Sequence, residues 1–186
     1  QLKSGEIHAL VGENGAGKST LIKILSGAYQ KDSGEILIND EAVDFSGPID
    51  AKNKGIQCIY QELSLVPHLS VANNIFLGQE ISKSGFVKQR DINAKAQKMM
   101  DDLNIKVDVR KEVRDTGIGE KFFTEICRCM VGNASIVIMD EPTSAMTPSE
   151  YQHFLITIKL LREKNISVIY ISHRLQEIFQ ICDSVS

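Results

Sequence analysis

The chain has 186 residues, 42% hydrophobic and 24% charged, with a net charge of −3; these are the proportions of a soluble globular domain long enough to bury a core of its own. No basic excess marks a nucleic-acid partner, and no run of about eighteen apolar residues is present to span a bilayer. A role at a membrane would therefore require docking onto a partner that does the spanning. The four cysteines, Cys58, Cys127, Cys129 and Cys182, fit neither a zinc ribbon nor a redox Cys-x-x-Cys pair, and read as reduced, mostly buried thiols of a cytosolic protein.

In chain order, Glu6 to Val11 is a short apolar run that predicts a buried strand. A glycine-rich loop follows from Gly12 to Gly17, then a helix over Lys18 to Leu25 with Leu21, Ile22, Ile24 and Leu25 at helical spacing and Gly27 as its stop. Asp32-Ser33-Gly34 is a turn. Glu35 to Asn39 and Ala42 to Phe45 predict paired strands around Asn39-Asp40-Glu41, and Gly55 to Tyr60 a further strand. From about Pro67 to Val131 the periodicity is helical, clearest over Ile92 to Leu103 and Lys121 to Met130. Ser135 to Asp140 returns to a dense apolar strand. A helix over Ser149 to Lys164 follows Pro148, and Ile166 to Ile171 is the last complete strand. The chain opens at Gln1 without a signal peptide and closes on Asp183-Ser184-Val185-Ser186, which reads as the start of another strand. Both ends are expected to be cuts through a longer protein. Strands separated by helices of this length argue for a parallel α/β core, with the helical block inserted into it.

Gly12-Glu13-Asn14-Gly15-Ala16-Gly17-Lys18-Ser19 fits G-x-x-x-x-G-K-[ST] between a predicted strand and a predicted helix, the setting of a phosphate loop. Glycines permit the backbone turns that aim successive N–H groups at phosphate oxygens, and the helix N-terminus adds its positive end. Lys18 would neutralise the β and γ phosphates, and the Ser19 hydroxyl could ligate Mg²⁺. A glycine-rich turn with an exposed lysine is the bland alternative. Asp140 and Glu141 end the strand Ile136 to Met139. Adjacent residues there point different ways, so Asp140 could hold Mg²⁺ while Glu141 orients the attacking water. A solvated strand end is the alternative. His173 and Gln61 each follow a predicted strand, where ligands sit in parallel sheets. Taken alone, either residue would more often be structural.

Four stretches together carry a resemblance: residues 12–27, residues 59–67, Val137-Ile-Met-Asp-Glu-Pro-Thr-Ser144, and Val168-Ile-Tyr-Ile-Ser-His-Arg174. In this order they resemble ABC transporter ATPases, and within them the ATP-binding proteins of bacterial monosaccharide importers of the ribose, galactose, arabinose and allose type. The resemblance implies an α/β fold: a P-loop NTPase core (1–66 and 131–186), an antiparallel β flank, and an inserted helical subdomain (67–130) with the signature motif. It implies ATP and Mg²⁺ as cofactors. Gly12, Asn14, Gly15, Ala16, Gly17, Lys18, Ser19 and Thr20 would hold the phosphates, with Ser19, Gln61 and Asp140 at the metal. Glu141, His173, Lys18 and Gln61 would be catalytic, Gln61 as the residue that links the nucleotide to the membrane partner. Expected partners are a second nucleotide-binding domain, permease subunits at the cytoplasmic face of the cell membrane, and indirectly a periplasmic or extracellular sugar-binding protein, but no nucleic acid. Leu65 to Phe76 would receive the permease; internal packing of its apolar residues is the bland alternative, and the two are compatible. The likeness further implies the first of two such domains in one polypeptide.

Two positions depart from the family. The signature Leu-Ser-x-Gly-Gln falls on Thr116-Gly117-Ile118-Gly119-Glu120, where Gly117 offers no hydroxyl and Glu120 adds a negative charge. Losing one charge-assisted hydrogen bond would cost about 1.5–3 kcal/mol, roughly tenfold to over a hundredfold in affinity. In the family this motif serves the nucleotide of the opposite domain. Thr147 stands where many members carry Asp, but Thr is common in the sugar group. Two rival readings remain at this stage: an ABC protein of the ribosome or of DNA repair, and a regulatory nucleotide-binding domain that has lost hydrolysis.

Overall fold

The computed structural model describes residues 1–13, 15–83 and 85–186. Its centre is a five-stranded sheet in which every pairing is parallel. The strands are β1 (Ile7–Leu10), β4 (Ile56–Ile59), β7 (Ile136–Asp140), β8 (Ser167–Ile171) and β9 (Ser184–Val185), in the order β4-β7-β8-β1-β9. The two flanking strands predicted around Asn39-Asp40 are present as β2 (Ile36–Ile38) and β3 (Glu41–Val43), antiparallel, with Asn39 and Asp40 both at positive φ in the turn.

The sheet strands are apolar because both their faces are covered. Along β7, Val137 and Met139 enter the larger core cluster and Ile138 the smaller one on the other face; along β8, Val168 and Tyr170 oppose Ile169 and Ile171 in the same way. The larger cluster takes in α5 (Ile118–Val131) and α6 (Pro148–Glu163). The smaller one takes in Ile22 of α1 (Lys18–Leu25), Val43 of β3 and Ala51 of α2 (Pro48–Asn53). Two short helices, α2 and α7 (Leu175–Ile181), lie where the sequence shows no long periodic run.

Between Pro67 and Val131 helices dominate: α3 (Val71–Ile75), α4 (Gln89–Asp102) and α5. The helical periodicity misses a two-stranded hairpin inside this stretch, β5 (Ser82–Lys83) with β6 (Phe86–Val87). Strands of two residues are too short to show alternation. Val71, Ala72, Ile75 and Phe76 are buried, so internal packing takes that part of the Leu65–Phe76 segment; Val66, Pro67 and His68 stay exposed.

All four cysteines are free. Burial pushes the thiols of Cys58, Cys127 and Cys182 up to about 12, and raises Cys129 as well. The thiolate is the nucleophile. Iodoacetamide at about pH 8 should therefore leave Cys127 and Cys129 unlabelled in the folded protein and modify them only after unfolding, as mass spectrometry would show.

Candidate functional site

A parallel sheet puts all its strand C-termini along one edge. Register aligns them closely here: Leu10 pairs with Ile171, Ile171 with Asp140, and Met139 with Ile59. Adjacent strands lie about 4.8 Å apart. The loop after β1, the acidic pair at the end of β7, His173 after β8 and Gln61 after β4 therefore issue side by side, although Gly12 and His173 are far apart in the sequence.

Two glycines of the loop after β1 take backbone that other residues avoid. Gly15 (φ 87) and Gly17 (φ 91) are left-handed, a conformation a Cβ disfavours, and Gly17 caps α1. Gly12 differs from expectation. It is not left-handed; an added Cβ would come 3.1 Å from Ala16 Cβ, so close approach is what asks for glycine. Lys18 folds back over the loop, donating from Nζ to Gly12 O at 2.6 Å and Glu13 O at 3.0 Å. Ser19 and Thr20 are exposed in the first turn of α1. Asn14, also expected in the cradle, lies outside the described residues.

Asp140 is the last residue of β7, and Glu141 turns left-handed (φ 47), its N–H donating to Ile171 O at 3.0 Å. Left-handed backbone costs a non-glycine residue roughly 1–2 kcal/mol. Burial, and secondarily the nearby Glu141, raise the Asp140 pKa, with Lys18 opposing. A divalent cation would counter both raising causes. The available donors (carboxylate, hydroxyl and amide oxygen) are hard oxygens that fit Mg²⁺. Among the described residues no three His, Cys, Asp or Glu side chains converge on a metal position.

Glu141 Oε1 lies 3.0 Å from His173 Nδ1, bringing together two residues predicted separately. Glu141 also lines a cleft of about 240 Å³ with Gln61, Ile118, Lys121 and Met146, so the β4 and β7 ends share one space with the start of α5.

At the expected signature the α5 N-terminus is already occupied. Glu120 Oε2 accepts the Gly117 N–H at 2.7 Å, and Glu150 Oε1 accepts the Gly119 N–H at 3.1 Å. A Cβ at Gly119 would overlap the Glu150 carboxylate. Thr116 is buried and donates to Val113 O at 2.8 Å; Ile118 is half exposed. Thr147 caps α6, its N–H and hydroxyl donating to Glu150 Oε2 at 2.7 and 2.8 Å. The Thr-Pro-Ser-Glu spacing is a capping box legible in sequence. Its extension to the α5 end is not, because Gly119 and Glu150 meet only in the fold.

Two buried polar residues that the sequence reading missed brace the segment after Gln61. Glu125 of α5 accepts from Ser64 N at 3.0 Å and Ser64 Oγ at 3.2 Å. Asn74 accepts from Val66 N at 2.8 Å and donates to the carbonyls of Val66, Leu69 and Ser70. A charge on the apolar side of a helix was the available signal for Glu125.

A family model described as ABC transporter matches residues 1–144. The chain belongs to the ABC transporter family. Its relatives include the ribose import ATP-binding protein RbsA of Hahella chejuensis, 42% identical over all of this chain and 37% of that protein. Others are RbsA of Bacillus subtilis, 42% identical over all of this chain and 38% of that protein, and RbsA 2 of Escherichia coli O157:H7, 46% identical over 98% and 36%. The chain thus spans little more than a third of these relatives' length. Among solved structures, a nucleotide-free ATP-binding cassette from an ABC transporter superposes with a TM-score of 0.85 at 23% identity, covering 99% of this chain and 77% of that one. Clostridium perfringens cbiO1, part of the ABC transporter complex cbiONQ, gives 0.82 at 24%, covering 100% and 74%. At such identities the likeness concerns the fold: an α/β ABC cassette with a parallel sheet and a small antiparallel flank. Among the described residues, no helix is long and apolar enough to cross a membrane.

Proposed function

We propose that this chain is the first ATP-binding and ATP-hydrolysing domain of an importer that drives a monosaccharide, of which ribose is the first candidate, across the cytoplasmic membrane. The observation that carries the reading is the Glu141–His173 pair at 3.0 Å beside the loop that ends in Lys18. In this reading residues 1–66 and 131–186 form the ATP-binding core and 67–130 a helical subdomain. The backbone of residues 12–20 and the Lys18 ammonium hold the triphosphate of ATP. Asp140, with Ser19 and Gln61, holds Mg²⁺, which when bound neutralises phosphate charge. Glu141 accepts the proton of a water aimed at the γ-phosphorus, and the P–O bond to ADP breaks as the new one forms. His173 keeps Glu141 in place and donates to the phosphoryl oxygens. A second nucleotide-binding domain closes the site. Gln61 and the braced segment behind it carry the movement to permease subunits at the cytoplasmic face, which receive sugar from an external binding protein. No nucleic acid takes part.

The test is ATP turnover and sugar uptake by the full-length protein with its permease in vesicles, wild type against Lys18→Ala and Gly117→Ser. Lys18→Ala should abolish both activities. Wild-type turnover little changed by Gly117→Ser means that one working site suffices. Absent turnover restored by the serine would replace this proposal with a regulatory domain disabled at its signature.

A further inference from the structure

The His173 side chain is 70% exposed, and such a ring keeps rotamer freedom that has to be restrained for it to serve one geometry. The restraint comes through its neighbours. On one side, Ser172 Oγ donates to Glu177 Oε2 at 3.2 Å; on the other, Arg174 Nη1 donates to Glu177 Oε1 at 3.1 Å. The same Oε2 accepts the Thr143 hydroxyl at 2.7 Å and the Tyr170 hydroxyl at 2.6 Å. Thr143 lies two residues beyond Glu141, and Tyr170 lies inside β8. One carboxylate, 7% exposed, therefore gathers the end of β8, both neighbours of His173 and the loop that carries Glu141. Burial alone would raise Glu177, but the Tyr170 and Thr143 hydroxyls and the Arg174 guanidinium outweigh it and hold it below the usual carboxylate range.

A helix-capping role would look different. An acidic residue at the third position of a helix ordinarily reaches back to the N–H of the cap residue. Glu177 occupies that position in α7, with Arg174 as the cap. The Arg174 N–H is instead taken by Ser172 Oγ at 3.1 Å, and the carboxylate turns inward to the sheet and the Glu141 loop.

We propose that Glu177 is a positioning residue that clamps the Glu141 loop to the His173 loop and so sets the separation of the two side chains. This rests on the roles given to Glu141 and His173 above. Glutamine keeps the size of Glu177 but replaces one accepting oxygen with an NH2: turned to Arg174 it meets a guanidinium that cannot accept, and turned to the Thr143, Tyr170 and Ser172 hydroxyls it offers two hydrogens where one oxygen accepted three bonds. The full-length protein with its permease in vesicles would be assayed for kcat, KM and the Kd of a non-hydrolysable ATP analogue. Glu177→Gln should lower kcat by on the order of 10- to 100-fold with Kd changed by less than about twofold. Placed on His173→Ala, it should cost nothing further, because both act through one element. Unchanged kcat overturns the proposal, as do losses that multiply with His173→Ala or a Kd that weakens as far as kcat falls. If Glu177→Gln does not fold, Thr143→Val removes a single donor and decides: a kcat loss absent from the His173→Ala background supports the clamp, and a wild-type kcat overturns it. Turnover that survives Glu141→Gln sinks the assignment of the base to Glu141 and this inference together. Turnover lost in Glu141→Gln but kept in Glu177→Gln sinks this inference alone.

Discussion

Glu141→Gln is expected to leave nucleotide binding intact while lowering ATP turnover by about 10²–10⁴-fold, the range for removing a positioned general base. The substitution preserves shape, and the left-handed backbone at φ 47 with its N–H on Ile171 O is as accessible to glutamine as to glutamate. The contact to His173 Nδ1 at 3.0 Å can persist through the amide. What disappears is the ability to take a proton from water. Binding should hold because the groups assigned to the phosphates, Lys18 and the α1 N-terminus, are untouched. The measurement pairs single-turnover hydrolysis with equilibrium binding of labelled ATP to the full-length protein in complex with its permease. Turnover within a few-fold of wild type would move the base to another residue, and Asp140 at the end of the same strand would be the one to substitute next.

Much of this site was legible before the fold, for a definable reason. A phosphate loop is local: its spacing, its glycines and the following helix are contiguous, so α1 begins at Lys18 and ends at Leu25 as the pattern predicts. Buried parallel strands are also local signals, and β1, β4, β7 and β8 appear where apolar runs predict them. His173 and Gln61 were weaker, because their meaning lies in the register that aligns Ile171 with Leu10 and Asp140. The resemblance supplied what spacing could not. The Glu150 contact to Gly119, the Glu125 brace on Ser64 and the convergence on Glu177 were not legible, since each joins residues from separate elements. Glu120 shows the limit most clearly. In sequence it is an added negative charge near an anion site; in the fold its carboxylate takes the N–H of Gly117, the residue at the signature's serine position.

Phe154→Ala should destabilise this domain by about 3–5 kcal/mol, as aromatic truncations in closed cores do. Phe154 of α6 is wholly buried where three elements meet: its ring centroid is 5.7 Å from that of Phe122 in α5, 6.1 Å from Tyr170 in β8, and 6.2 Å from Tyr151 one turn earlier. Removing it leaves a void bounded by large rings, which collapse poorly because each is fixed by other contacts. For a domain of this size 1 kcal/mol shifts Tm by about 2–4 °C, so calorimetry of the full-length protein should find this domain's transition lowered by about 6–20 °C. Phe154→Leu, nearer in volume, should cost less than about 1.5 kcal/mol. The comparison also bears on the site, since the Tyr170 ring that Phe154 supports carries the hydroxyl bonded to Glu177. Shifts of equal size for alanine and leucine would mean that the rings close over the gap. The aromatic cluster would then be filling space, and the Tyr170–Glu177 bond would owe its position to the sheet alone.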